Sequence, residues 1–116
     1  MDDAPGFRYT VDMPSKDFNL NRPIHLARRD AYFERAIELL YMPMQEMDTE
    51  QRIEHVEKVI SLLKTAQFHA FFTTKSPRAT QHEHDLLHFM QLISHNVQSA
   101  HSMMQHQSHL EGEEGF

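Results

Sequence analysis

Residues 80–109 read TQHEHDLLHFMQLISHNVQSAHSMMQHQSH, and this stretch decides the fold class. Apolar side chains recur in it at alternating spacings of four and three residues, which keeps them within about 40° of one line along a helix. They are Leu86, Met90, Ile93, Val97, Ala100 and Met104. Most of the histidines fall on the opposite side of the same helix. The pattern predicts a long helix that packs its apolar line against other helices and turns a histidine stripe away from them.

A first helix is predicted over residues 22–42, upstream of that stretch. Asn21 can cap a helix, and Pro23 is tolerated in a first turn because its missing N–H would have no partner there. Pro43 disfavours helical backbone at the residue before it and so ends the helix.

Capping boxes predict where the other two helices begin. Asp48 and Gln51 form one box, and Thr80 and Glu83 form the other. The predicted helices cover residues 49–72 and 80–109. Because short connections favour antiparallel neighbours, we expect an all-α, antiparallel three-helix bundle in up-down-up order.

The bundle domain is expected to cover residues 22–110, with segments of different character at its two ends. Residues 1–21 include a run from Phe7 to Met13 in which apolar and polar residues alternate, which predicts an extended, partly ordered arm. A lone strand persists only by docking on the bundle or on another chain. Residues 111–116 are rich in Gly and Glu and predict a disordered tail.

The composition excludes several classes of protein. The chain has 116 residues, a net charge of −6 and no cysteine. No apolar run approaches the ~18 residues of a membrane span, and no signal-peptide pattern opens the chain. We therefore expect a cytoplasmic protein without disulfides and without a membrane partner. The negative charge disfavours nucleic acid as a general partner.

The third helix predicts an interface because it lacks charge. From Leu86 to Leu110 there is no Asp, Glu, Lys or Arg, and charge depletion is typical of the buried part of a protein interface. More apolar side chains are present than three helices need for their mutual contacts. The predicted interface residues are Phe68, Phe71, Phe72, Phe89, Leu92, His95 and Met103. We expect a symmetric homodimer that pairs its third helices, and the alternative is that the amino-terminal arm covers this surface.

A metal site is a second interpretation of the histidines. His84 and His88 are spaced so that two imidazoles on one helix face can share a nickel, copper or zinc ion. His95 lies about 10 Å further along the axis, too far to complete the same tetrahedron in one chain. The sequence supplies no dependable third ligand, so the alternative is that these histidines are solvent-facing or interface residues.

Nucleic-acid binding is a third interpretation, based on four arginines of the first helix. They are Arg22, Arg28, Arg29 and Arg35. Acidic residues interleave them, and no recognition motif accompanies them, which favours an ordinary solvated helix face.

The sequence carries no catalytic motif, because no histidine has the spacing to an orienting carboxylate that acid–base catalysis needs. We therefore expect a non-catalytic protein-interaction protein. It would act as a small adaptor, a chaperone-like subunit or a regulatory inhibitor. Its helical surface would bind a second copy of the chain and a larger protein partner.

Overall fold

A computed structural model describes the backbone of residues 21–114 and the side chains of residues 21–110. It contains three helices, α1 (Arg22–Leu40), α2 (Thr49–Thr74) and α3 (Gln81–Glu114). Within residues 21–114 there is no strand. The predicted all-α three-helix bundle is confirmed. The predicted arm lies, except for Asn21, outside the described residues.

Local hydrogen bonds explain where α2 and α3 begin. The Asp48 carboxylate accepts a hydrogen bond from the Gln51 N–H at 2.8 Å, and the Gln51 side chain accepts one from the Asp48 N–H at 2.9 Å. Thr80 and Glu83 form the equivalent reciprocal pair at the start of α3. Both capping boxes therefore satisfy backbone donors that the first helical turn leaves without partners.

The helix ends differ from the predicted ends. α1 ends at Leu40, where the Tyr41 N–H donates a hydrogen bond to the Ile37 carbonyl and the Met42 N–H donates one to the Leu39 carbonyl. α3 continues to Glu114, past the predicted end at residue 109 and into the predicted tail. Gly112 lowers helix stability by about 1 kcal/mol relative to alanine, yet no proline follows Gln81 to stop the helix.

α2 is the central helix, and both α1 and α3 run antiparallel to it. The start of α1 contacts the end of α2, where Arg22 donates a hydrogen bond to the Thr73 carbonyl at 2.9 Å. At the other end of α1, His55 lies 2.6 Å from the Leu39 carbonyl. α3 likewise passes from the end of α2 towards its start, where His101 meets Glu57.

α1 and α3 approach each other only through side chains. No Cα atom of α1 lies within 8 Å of a Cα atom of α3 in the part of the chain that the structure describes. Arg22 pairs with Glu83, and the Phe33 ring meets the Phe89 ring edge-on at 6.3 Å between centroids.

The core consists of two clusters along α2. The larger one joins all three helices through Ala36, Leu39, Val56, Val59, Leu63 and Val97. The smaller one contains Ala66, Ala70 and Met90. Phe33 packs against both clusters and so links them. Of the predicted apolar line of α3, Ala100 alone is exposed, and the other members are buried or half-buried.

None of the three helices within residues 21–114 has a stretch long and apolar enough to cross a bilayer.

Candidate interaction surface

The contacts with α2 divide the surface of α3 into a packed face and an exposed face. Met90, Ser94 and Val97 are buried on the face that packs against α2, and we call this line the inner seam. The opposite face carries large apolar side chains in solvent. Phe89 is 52% exposed, Leu92 51%, Met103 68% and Leu110 41%. No charged residue occurs between Leu86 and Leu110 to solvate that face.

The exposed apolar residues belong to a second line along α3 with heptad spacing. We call this line the outer seam; it comprises Phe89, Leu92, Asn96, Ser99, Met103, His106 and Leu110. Successive members are three and four residues apart in alternation, which places them on one side of a helix. All seven are exposed. Sequence analysis found Phe89, Leu92 and Met103 but missed the regular spacing that connects them to the polar members.

The structure divides the predicted interface into two separate regions. Leu92 and Met103 lie on the side of α3 that faces away from α2, and His95 is exposed beside them. Phe68, Phe71 and Phe72 lie on α2 itself, near its carboxyl end. The Lys75 ammonium sits 4.4 Å from the centroid of the Phe71 ring, and Phe72 is half-buried.

Two histidines that sequence analysis did not single out join α1 to α2. The Nδ1 atoms of His25 and His69 lie 2.7 Å apart. His25 also stacks on Phe72 with 4.0 Å between ring centroids, and Tyr32 stacks parallel to His69 at 5.8 Å. Burial lowers the pKa of both histidines, and the nearby Arg28 charge lowers it further. The lowered pKa values therefore favour the neutral form of both imidazoles in this cluster.

A buried ion pair closes the same end of the bundle. Arg22 donates to the Glu83 carboxylate, and the two side chains are only 11% and 10% exposed. The hydrogen bond from Arg22 holds the pKa of Glu83 below its ordinary value, although burial acts in the opposite direction. Glu83 is also part of a capping box, so one carboxylate both starts α3 and fixes it to α1.

The four predicted nucleic-acid-binding arginines do not form one surface. Arg22 and Arg29 point into the bundle, where Arg29 is buried and pairs with Asp30 at 2.8 Å. The Nη1 atom of Arg29 has no hydrogen-bond partner among the described residues. Arg28 and Arg35 are exposed, and Arg35 pairs with Glu38 at 3.0 Å.

The predicted metal ligands lie on the surface of α3. His84 and His88 are both exposed. Among the side chains that the structure describes, no three His, Cys, Asp or Glu residues are grouped so that they could hold a metal ion. The pair thus offers two ligands, and a third would have to come from solvent or another molecule.

Comparisons with protein-family models, with curated proteins and with solved structures found no match to this chain. Its function is inferred from the surfaces and contacts described above.

Proposed function

We propose that this protein is a non-catalytic interaction protein that self-associates through the outer seam of α3. The observation that carries the proposal is the exposure of Phe89, Leu92, Met103 and Leu110 on a helix face without charge. Burying apolar surface is worth about 25 cal/mol per Å², so each half-exposed side chain of this size would contribute roughly 1 kcal/mol. Exposed apolar patches of this kind are typical of interaction sites.

The charge of the chain supports a second copy as the occupant of the outer seam. With a net charge of −6, two copies repel one another in general, and contacts between acidic surfaces are disfavoured. The outer seam contains no Asp, Glu, Lys or Arg. Two identical chains can therefore meet there without bringing like charges together.

The homodimer is compatible with the wider role of adaptor, chaperone-like subunit or regulatory inhibitor. A larger protein partner that presents an uncharged apolar helix would compete with the second copy for the outer seam. Residues 1–20 are an alternative occupant from within the chain. Deleting residues 1–20 tests this alternative. Dimer formation should strengthen if these residues cover the outer seam, and it should stay unchanged if they do not.

Sedimentation or light scattering tests the proposal directly. At micromolar concentration, the protein should have twice the 13.7 kDa mass of one chain. Leu92→Glu and Met103→Glu each place a charge on the outer seam and should yield monomers. Gln91→Glu is the matched control, since Gln91 is an exposed neighbour of Leu92 on another side of α3. A monomeric parent protein at high concentration would contradict the proposal.

A further inference from the structure

We propose that two copies pair their α3 helices in parallel and in register along the outer seam, with Asn96 of one copy against Asn96 of the other. This inference rests on the proposed self-association and adds the orientation of the paired helices and their register.

The outer seam has the two alternating positions of a coiled-coil heptad. Phe89, Asn96, Met103 and Leu110 occupy the first position of successive heptads. Leu92, Ser99 and His106 occupy the fourth. From Phe89 to Leu110 the seam extends roughly 32 Å at 1.5 Å per residue. The next position in the series is Glu113, so charge ends the seam after Leu110.

Parallel pairing brings each seam residue against its own counterpart. Four layers are then apolar on both sides, at Phe89, Leu92, Met103 and Leu110. Asn96 forms a layer in which each amide can both donate and accept a hydrogen bond. A single asparagine at this heptad position specifies register and a two-stranded assembly at some cost in stability.

Antiparallel pairing packs the first heptad position of one helix against the fourth position of the other. In each of the two registers that keep most of the outer seam paired, only two layers are apolar on both sides. Leu92 lies opposite Met103 in one register and opposite Leu110 in the other. The first register also buries Phe89 against His106, which leaves the imidazole without a hydrogen-bond partner. The apolar residues of the outer seam therefore favour the parallel arrangement, which has four apolar layers.

The packing of α3 leaves room for this pairing. The inner seam is occupied by α2, and the outer seam lies on the other side of the helix. The two bundles would consequently lie on opposite sides of the paired helices. Phe89 is the seam residue with a contact to α1, through Phe33, so pairing would extend the existing aromatic contact.

Cysteine crosslinking tests the orientation, because the chain has no cysteine of its own. A disulfide requires Cα atoms about 4.4–6.8 Å apart. In the parallel dimer, Leu92→Cys and His106→Cys should each form a disulfide with the same variant. In an antiparallel dimer, two copies of either variant would hold their cysteines at least about 15 Å apart. Leu92→Cys would then crosslink only in a mixture with Met103→Cys or Leu110→Cys. Gln91→Cys, off the seam, should not crosslink in either case.

The outcomes separate this inference from the proposed function. Self-crosslinking of both seam variants supports parallel pairing. Crosslinking only in one of the mixtures would overturn it while leaving self-association intact. A parent protein that stays monomeric in light scattering would overturn both.

Asn96→Leu tests the role assigned to Asn96. Without the buried amides, association should strengthen, and assemblies larger than a dimer should appear, because asparagine at this heptad position restricts the helices to two strands. If Asn96→Leu stays a dimer with the association constant of the parent protein, Asn96 does not form the polar layer.

Discussion

The Nδ1 atoms of His25 and His69 face each other at 2.7 Å across the contact between α1 and α2. At this distance one imidazole donates the shared proton and the other accepts it, so the contact cannot hold a proton on both facing nitrogens. Phe72 stacks on His25, which keeps this ring in place beside its partner. The first helix is thus joined to the second by a hydrogen bond that depends on protonation.

Folding stability should decrease on acidification because of this histidine pair. Burial lowers the pKa of His25 and His69 from 6.5 in the unfolded chain. Between the lowered value and 6.5 the unfolded state binds more protons, so the free energy of unfolding is highest above pH 6.5 and falls as the pH drops through that range. Urea unfolding at pH 8 and pH 5, in the Leu92→Glu background to remove dimer dissociation, measures this change.

His69→Gln supplies the comparison for that measurement. Glutamine keeps a hydrogen-bonding side chain but does not titrate, so the pH dependence should be smaller than in the parent. His84→Gln removes an exposed histidine and should leave the pH dependence as it was. If the free energy of unfolding changed equally between pH 8 and pH 5 in all three proteins, the histidine pair would not couple protonation to folding.

Glu83→Gln should destabilise the fold by about 3 kcal/mol, because it leaves the buried Arg22 guanidinium without its counter-charge. The double variant Arg22→Met with Glu83→Gln should recover part of that loss. Thermal or urea unfolding measures both. A loss below about 1 kcal/mol for Glu83→Gln would mean that Arg22 is compensated elsewhere.

Two methionines of α3 should respond differently to the same substitution. Met90 is fully buried on the inner seam, whereas Met103 is 68% exposed on the outer seam. Met90→Ala should lower the free energy of unfolding by about 2–5 kcal/mol, because it removes core contacts and leaves a cavity. Met103→Ala should weaken dimerisation and change monomer stability little. Urea unfolding and sedimentation of both variants measure these two effects. Equal losses of unfolding free energy would contradict the assignment of Met90 to the core and Met103 to the exposed face.

Local interactions made much of the fold predictable from sequence. Each capping box joins residues three positions apart, and Pro43 acts on the residue before it, so neither depends on how the helices pack. The apolar line through Met90 and Val97 was also visible, because burial on one side of a helix imposes its period on the sequence.

The polar contacts depended on the tertiary structure. His25 and His69 are 44 residues apart, and Arg22 and Glu83 are 61 apart. No local pattern connects such residues, since only the antiparallel packing of helices brings them together. Arg29 was predicted as surface because arginine is rarely buried, but the rotation of α1 against α2 turns it inward.

The sequence by itself determined three helices, the capped starts of α2 and α3 and an uncharged third helix, because these properties arise within single turns and helix faces. The predicted Asn21 cap of α1 makes no side-chain hydrogen bond. Only the tertiary structure decided that a second line of α3 stays uncovered. α3 carries two lines with heptad spacing, and α2 occupies the one that contains Met90 and Val97. The line from Phe89 to Leu110 remains exposed because three helices have no fourth to cover it.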